Sequence, residues 1–197
     1  MTGGGNEQLE IGHVLFIDIV GYSRLLIEEQ KERLRRLTDI VLETAQVRKA
    51  TNEQLVCLPT GDGMALVFRN SSEEPAQCAL EIAKALKDHP EIELRMGIHS
   101  GPVSEVTDVN GRTNIAGAGI NMAQRVMDCG DAGHILASRR VADDLEQYVR
   151  WKPHIHDLGE CAVKHRVRLK VANLYRGELG NRSLPKKFRI ARRRRKT

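Results

Sequence analysis

The order of the predicted elements over residues 11–101 is the feature that most constrains the fold of this chain. An apolar run at 11–19 predicts a strand buried on both faces, and helical periodicity follows at about 23–49. The segment "QLVCLPTGDGMALVF" predicts a hairpin with proline and glycine in its turn. A second helix at about 72–88 and a strand closing at Gly101 come next. A hairpin between two helices is typical of the α+β class, here a ferredoxin-like antiparallel sheet with a βαββαβ core and helices on one face.

The remainder of the chain predicts a C-terminal αβ extension of that core. "AGAGINMAQRVMDCG" predicts a glycine-rich start to a helix, and a short strand, a helix and two strands at about 151–162 and 166–176 follow it. The strict alternation of strand and helix that marks a doubly wound sheet is not present in this order. This weakens the alternative of a response regulator, in which Asp18 would accept a phosphoryl group.

Charge divides the chain unevenly. Of the net charge of +5, the segment 179–197 contributes nine basic residues and no acid, so the rest of the chain carries −4. We therefore predict a flexible N-terminus at 1–10, one domain at 11–178, and a basic tail at 179–197 that is disordered or peripheral. Such a tail could contact nucleic acid. With only three phenylalanines, however, the chain lacks the aromatic residues on which RNA-binding sheets stack bases, so nucleic acid is not expected as a partner.

We expect a cytoplasmic protein that is not held in a membrane. The sequence contains no run of 18 apolar residues, and its N-terminus lacks the basic and then apolar pattern of a secretory signal. Its four cysteines form no CxxC pair, which favours reduced and partly buried thiols.

Asp18 and Asp62 are the first candidates for chemistry. If the strand at 11–19 lies beside the hairpin, both carboxylates reach the same edge of the sheet. Converging carboxylates repel each other unless a cation lies between them, and oxygen ligands suit Mg²⁺ or Mn²⁺ held together with substrate phosphates. An equally good interpretation of Asp62 is that it stabilises the Thr-Gly-Asp-Gly turn. Asp18 is harder to explain that way, because an unpaired acid in an apolar strand is costly.

Asn121 and Arg125 are the next candidates. They lie four residues apart on one predicted helix and so point in the same direction, and the planar guanidinium of Arg125 suits phosphate oxygens. Taken alone, a solvated arginine and a surface asparagine explain them better. Lys164, in "CAVKHRVRL", is by itself most simply an exposed lysine at a strand end. The histidines share no spacing with cysteine or glutamate, so no zinc site is predicted.

Five segments together resemble the class III nucleotidyl cyclases. They are "FIDIVGYS", "TGDGMALVF", "RMGIHSGPV", "GINMAQRV" and "AVK" with "NLYR", and they occur in the order found in that family over about residues 11–177. The resemblance implies an enzyme that converts a nucleoside triphosphate to the 3′,5′-cyclic monophosphate and pyrophosphate with two divalent cations, Mg²⁺ or Mn²⁺. It also implies a head-to-tail homodimer with two shared active sites.

The resemblance assigns roles to the candidate residues. Asp18 and Asp62 resemble the two metal-binding aspartates, assisted by the carbonyl of Ile19. Asn121 resembles the asparagine that positions the ribose, and Arg125 the arginine that stabilises charge on the α-phosphate. In the implied dimer, the aspartates of one chain face the asparagine and arginine of the other.

The phosphate-binding residues are implied in the same way. Lys164 resembles the lysine that holds the terminal phosphates, although His165 stands where the family usually has glycine. Gly21 and Tyr22 follow the first aspartate and are expected to contact the phosphates, since glycine frees the backbone to turn over a triphosphate.

The base-selecting positions depart from the family. Adenylyl cyclases carry lysine and aspartate or threonine where this chain has Leu58 and Asn114, and the glutamate–cysteine pair associated with guanine is also missing. Leu58 cannot hydrogen-bond a base, whereas Asn114 can both donate and accept. We favour a pyrimidine, UTP before CTP, because this small form resembles the cyclases of bacterial anti-phage signalling.

Other interpretations stay open at this stage. The enzyme could make cyclic AMP through unusual base contacts. A catalytically inactive, nucleotide-binding regulatory homologue is less favoured, because every metal and phosphate position of the family is retained. A nucleic-acid-binding protein led by the arginine-rich tail is the third class of function.

Overall fold

The computed structural model of the protein describes residues 10–107, 113–163 and 167–194. The strands in these residues are β1 Glu10–Ile19, β2 Leu55–Pro59, β3 Gly63–Phe68, β4 Leu94–Thr107, β5 Thr113–Ala116, β6 Ile135–Ser138, β7 Ile155–Ala162 and β8 Arg168–Leu174. The helices are α1 Ile27–Glu43, α2 Ala45–Lys49, α3 Glu73–Ala85, α4 Ala118–Met127, α5 Arg139–Glu146 and α6 Lys186–Arg194. None of the helices in the described residues is both long enough and apolar enough to cross a bilayer.

The predicted antiparallel sheet is confirmed, with β1 as one of its interior strands. The strand order is β2-β3-β1-β4-β6-β8-β7, and β5 pairs with the outer part of β4. Only the β4–β6 pair is parallel among the described strands. The register sets Asp18 of β1 opposite Gly63 of β3 on one side and Arg95 of β4 on the other. The end of β1 therefore lies between two strands that can both supply functional groups.

The two faces of the sheet carry different layers. Leu15 and Ile17 of β1 point to a first face, which packs against α1, α3 and α5. Val14 and Phe16 point to the second face, where they pack against Ala123 and Met127 of α4. Alternation along β1 puts Asp18 on this second face. The helices of the βαββαβ core, α1 and α3, lie on one face as predicted, whereas α4 of the C-terminal extension covers the other face.

A glycine on β4 explains how α4 can lie on the second face. A β-carbon at Gly97 would lie 2.4 Å from the nitrogen of Met127 and 2.5 Å from the carbonyl oxygen of Ala123. Only a residue without a side chain lets the helix backbone approach the strand this closely. The sequence pattern predicted the helix itself but contained no signal for the face that it covers.

The predicted single helix over 23–49 is divided in the structure. A short 3-10 turn spans Tyr22–Arg24, and α1 and α2 are separated at Thr44, whose backbone is extended. The buried Thr44 hydroxyl donates a hydrogen bond to the carbonyl of Val41 at 2.7 Å. This side-chain bond satisfies a backbone group at the helix end, as threonine does at helix boundaries.

The basic C-terminal segment folds onto the body as far as Arg194. Helix α6 packs beside β7, and Phe188 is buried with Val126, Leu136 and Val171 in a third apolar cluster. Of the two predicted possibilities, disordered or peripheral, these residues adopt a peripheral helix, because burying an aromatic ring offsets the cost of ordering the segment. The predicted flexible residues 1–9 and the last residues 195–197 lie outside the described part of the chain.

Candidate active site

Asp18 and Asp62 lie at the same end of the sheet. Asp18 is the penultimate residue of β1 and is only 6% exposed. Asp62 precedes β3, and its carbonyl oxygen accepts a hydrogen bond from the backbone of Ile19 at 3.0 Å. A β-carbon at Gly63 would lie 2.0 Å from the carbonyl oxygen of Ile17, so glycine is required for this approach of β3 to β1. The sequence "GDG" thus brings the second carboxylate to the end of the buried strand.

The electrostatics of Asp18 reflect burial and two neighbours with opposite effects. The pKa of Asp18 is raised to about 6, because the effect of burial, which is the largest, and of the nearby Asp62 carboxyl outweighs the lowering by the Arg95 guanidinium. Arg95 Nε donates to Asp18 Oδ2 at 3.1 Å, and its Nη2 donates to the same oxygen. A buried carboxyl group with a second carboxyl group beside it forms a site that favours a cation.

Arg95 is a site residue that sequence reasoning missed. Besides its bonds to Asp18, its Nη1 lies 3.7 Å from Asp128 Oδ1, at the C-terminal end of α4. One guanidinium therefore connects the end of β1 to the helix on the second face. The available signal was an arginine inside the predicted strand "IELRMGI", but its partners follow from strand register and helix placement, which that segment does not reveal.

The donors at this position fit a divalent cation. Asp18 and Asp62 supply carboxylate oxygens, and the backbone of Ile19 supplies a carbonyl between them in the chain. In residues 10–107, 113–163 and 167–194, no group of three or more histidine, cysteine, aspartate or glutamate side chains is arranged to hold a metal. Two carboxylates alone leave coordination positions for water and phosphate oxygens, the arrangement that Mg²⁺ favours in phosphoryl-transfer sites.

Asn121 and Arg125 lie on α4, on the side away from the sheet. Ala123 and Met127 occupy the buried side of this helix, Asn121 is exposed and Arg125 is half-buried. Within the described residues, no hydrogen bond or ion pair connects Asn121 or Arg125 to Asp18 or Asp62. One chain therefore presents two separate groups of candidate residues, the aspartates at the end of β1 and the Asn–Arg pair on α4.

Two of the three predicted phosphate-binding residues lie in the described part of the chain. Gly21 has φ +75°, a left-handed conformation that favours glycine, and it turns the chain from β1 into the 3-10 turn that begins at Tyr22. The side chain of Tyr22 packs against the edge of the first-face core. Lys164 and the neighbouring His165 lie outside the described residues.

The two base-selecting candidates lie on strands that contact each other but are not paired. Leu58 of β2 is half-buried against the apolar cluster of the second face, and β5, which carries Asn114, contacts β2. Asn114 Oδ1 accepts a hydrogen bond from the backbone N–H of Ile115 at 2.8 Å. The side chain therefore has its amide NH₂ as its donor group.

Sequence comparison connects this geometry to known proteins. A family model described as the adenylate and guanylate cyclase catalytic domain matches residues 6–175. A curated Rhizobium meliloti (strain 1021) protein named "Putative adenylate cyclase 3" is 29% identical over 161 residues, a match covering 77% of this chain. The chain spans about a quarter of the length of that relative, 26%.

Solved structures share the fold. The adenylyl cyclase CyaB from P. aeruginosa superposes with a TM-score of 0.66 at 20% identity, covering 88% of this chain and 97% of that one. An adenylate/guanylate cyclase/hydrolase from Silicibacter pomeroyi superposes with a TM-score of 0.65 at 25% identity, covering 87% of this chain and 100% of that one. The guanylate cyclase domain of RhGC from Catenaria anguillulae, in complex with GTP, superposes with a TM-score of 0.65 at 21% identity, covering 85% of this chain and 98% of that one.

Proposed function

This chain belongs to the class III adenylate and guanylate cyclase family, and on that premise we propose that it converts a nucleoside triphosphate to the 3′,5′-cyclic monophosphate and pyrophosphate. The observation that carries the proposal is the convergence of Asp18 and Asp62 at the end of β1, with Asp18 buried and its pKa raised to about 6. A pair of carboxylates beside a glycine turn is suited to a cation that carries a triphosphate.

The reaction needs little covalent work from the protein. The 3′-oxygen of the ribose attacks the α-phosphorus, the bond from that phosphorus to the pyrophosphate oxygen breaks, and the hydroxyl proton leaves to solvent. Asp18, Asp62 and the Ile19 carbonyl would hold two divalent cations, Mg²⁺ or Mn²⁺. Such cations make the 3′-hydroxyl more acidic and stabilise the leaving pyrophosphate.

The remaining candidates orient the substrate and stabilise its charge. Asn121 positions the ribose, and Arg125 donates to the α-phosphate oxygens as charge develops on the five-coordinate phosphorus. Lys164, Gly21 and Tyr22 contact the phosphates. These roles rest on the resemblance together with the side of α4 on which Asn121 and Arg125 lie.

We place these groups in one site through a homodimer. The side of α4 that carries Asn121 and Arg125 points away from its own sheet, so a second copy arranged head to tail would bring that pair to the aspartates of the first. Each dimer would then contain two sites, and a single chain would contain two incomplete halves.

For the base, we propose UTP as the substrate, followed by CTP. Leu58 offers no hydrogen bond, and Asn114 presents an amide donor because its oxygen accepts from Ile115. Such a donor can bond the carbonyl oxygens of uracil, a type of acceptor that adenine lacks, although the ring nitrogens of adenine also accept hydrogen bonds. The product would be a cyclic pyrimidine messenger, and a role for it in antiviral defence is inferred from the resemblance alone.

ATP is the second candidate substrate. It is favoured by the Rhizobium meliloti relative, whose printed name is that of an adenylate cyclase. In that case adenine would be held by backbone groups and by Asn114, without the usual lysine and aspartate.

One experiment separates these possibilities. The purified protein is incubated with ATP, GTP, CTP or UTP in the presence of Mn²⁺, and the products are identified by mass spectrometry, with Asp18→Ala as the control. A cyclic nucleotide from wild type alone supports the cyclase, and its base identifies the substrate. Nucleotide binding without pyrophosphate release from any of the four would instead identify a regulatory binding protein, and full activity of Asp18→Ala would contradict the metal assignment.

A further inference from the structure

A cavity of about 590 Å³ lies beside the candidate active site, and apart from Gly21 its lining residues have no role in the proposal above. We call it the α6 pocket. Its walls come from the turn after β1, the start of β4, the turn between α4 and β6, and the C-terminal segment, with polar contributions from Arg95, Asp131, His134, Asn181, Lys186 and Arg189. The volume is in the range of small-ligand sites.

The pocket is continuous with the metal-site end of the sheet. Val20 and Gly21, directly after the Asp18–Ile19 pair, line one side, and Arg95 lines the same cavity while donating to Asp18. A phosphate chain that begins at Asp18 and passes over Gly21 would therefore enter the α6 pocket.

The C-terminal wall is held firmly by hydrogen bonds. The Asn181 side chain donates to the carbonyl of Ala132 at 2.9 Å, and its backbone N–H donates to the carbonyl of Gly133 at 2.8 Å. The buried His134 accepts from the backbone of Asp131 at Nδ1, so its Nε2 carries the proton and donates to the carbonyl of Ser183 at 2.8 Å. Helix α6 thus starts from a fixed position.

That position puts two cations at the pocket. The backbone N–H of Lys186 donates to Asp131 Oδ2 at 2.8 Å, which fixes the start of α6 and engages the Asp131 carboxylate. Lys186 and Arg189 line the cavity from successive turns of the helix, and neither forms an ion pair within the described residues. With Arg95 they make three cationic side chains, against the two acidic side chains Glu93 and Asp131.

We propose that the α6 pocket binds the pyrophosphate end of the nucleoside triphosphate, with Lys186 and Arg189 of the C-terminal helix as its phosphate-contacting residues. The inference rests on the proposed function and extends it, because it gives the basic segment a place in the active site of its own chain. The same chemistry would bind free inorganic pyrophosphate, the leaving group, after the reaction.

The test compares two double variants that remove equal charge. Lys186→Gln/Arg189→Gln alters the pocket, whereas Arg48→Gln/Lys49→Gln removes two exposed cations from α2, which contacts α1 and α3. Calorimetry measures binding of inorganic pyrophosphate with Mg²⁺. Since charge-assisted hydrogen bonds contribute about 1.5–3 kcal/mol each and 1.4 kcal/mol corresponds to about tenfold, we expect pyrophosphate affinity to fall at least about tenfold in the pocket variant only. Lys186→Arg/Arg189→Lys should retain it.

Enzyme kinetics distinguish whether the pocket binds the pyrophosphate end of the substrate or only free pyrophosphate. A contact to the substrate raises the KM for the nucleoside triphosphate in the pocket variant, whereas a contact only to free pyrophosphate weakens product inhibition and leaves KM unchanged, which would overturn the assignment to the substrate. Equal pyrophosphate affinity in the pocket variant and the α2 control would overturn the site altogether. Failure of the proposed function gives a different result, because the wild type would then cyclise none of the four nucleotides whatever the pyrophosphate affinities.

Discussion

Arg95 forms an ion pair with the carboxylate of Asp18, which binds a cation in the proposed reaction. It donates twice to Asp18, which is 6% exposed, and also approaches Asp128. A buried carboxylate without a partner is expensive, and removing one member of a buried pair costs more than the pair contributes. The ion pair therefore allows an acidic residue to stay at the end of an apolar strand when no cation is bound.

The stability of the metal-free protein tests this ion pair. With EDTA present at pH 7.5, we expect Arg95→Gln to lower the free energy of unfolding by about 1–3 kcal/mol, because Asp18 loses its charged partner. The double variant Asp18→Asn/Arg95→Gln should recover most of that loss, as urea denaturation can measure. Losses in the two single variants that simply add in the double variant would show that the residues are not coupled.

His99 provides a second test at the scale of the residue, through pH. Burial lowers the pKa of His99 to about 4, and its Nδ1 lies 2.9 Å from the Ser138 hydroxyl. The unfolded pKa is about 6.5, so the neutral ring contributes stability that is complete above pH 6.5 and is lost as the pH falls toward 4.

We expect His99→Asn, which keeps one hydrogen-bonding group near Ser138, to reduce this acid-side loss. Between pH 7 and pH 4.5, the free energy of unfolding of the wild type should fall by about 1–2 kcal/mol more than that of His99→Asn, a moderate value because the side chain is only partly buried. Urea unfolding at the two values measures it, with the surface substitution His89→Asn as the control. The same pH dependence of unfolding in wild type and His99→Asn would show that His99 does not cause the loss of stability in acid.

At the scale of elements, the packing of α4 against the sheet decides where Asn121 and Arg125 lie. The helix rests on Gly97, where a β-carbon would meet backbone atoms of Ala123 and Met127 at 2.5 Å or less. Backbone cannot rotate away as a side chain can, so a larger residue must displace the whole helix.

Gly97→Ala should therefore destabilise the protein by about 1–3 kcal/mol and lower cyclase turnover, because the pair on α4 moves with the helix. Gly12→Ala is the matched control on the neighbouring strand, since its β-carbon would meet only methyl groups of Val67 and Val103, at 2.8 and 2.9 Å. Thermal unfolding and a cyclase assay measure both variants. Normal turnover in Gly97→Ala would show that catalysis does not depend on the exact position of α4.

The C-terminal helix changes how its role must be tested. Deleting residues 179–197 would seem the direct test of whether the basic segment binds nucleic acid. However, that deletion would also remove buried Phe188 and the Asn181 hydrogen bonds that fasten the segment to the body. Charge substitutions at exposed positions such as Lys186 and Arg189 avoid this loss of stability and isolate the effect of charge.

At the scale of the whole molecule, the proposed site needs two chains. Asp18→Ala and Arg125→Ala should each abolish turnover as homodimers, because each removes one half from both sites. When the two variants are mixed and allowed to exchange chains, the heterodimer regains one intact site. We expect up to about a quarter of wild-type activity, given random exchange and one site of two in half of the dimers. Verified heterodimers without activity would contradict the shared site.

The sequence was a good guide to elements and to part of the site. The hairpin turn "TGDG" and the apolar run ending in "FIDI" placed Asp62 in a turn and Asp18 at a strand end, because strand formation and a short turn are local properties. The expectation that the two residues meet depended on pairing of β1 with the hairpin, which the structure shows between β1 and β3. Arg95 was missed because it lies 77 residues from Asp18 and reaches it only through the register of β1 and β4. The segment of helix α6 was predicted as a disordered or peripheral tail because its basic composition outweighed its few apolar residues, of which Phe188 is buried.

The sequence by itself determined the order of strands and helices, the turn that presents Asp62, and the set of motifs that place the chain in its family. These depend on periodicity, glycine positions and spacing, which act over short stretches of chain. Only the tertiary structure decided that α4 covers the second face, that Arg95 pairs with Asp18, and that Lys186 and Arg189 line a pocket beside Gly21. Each of these depends on how distant segments pack against one another, and close packing at glycines such as Gly63 and Gly97 selects one arrangement from many.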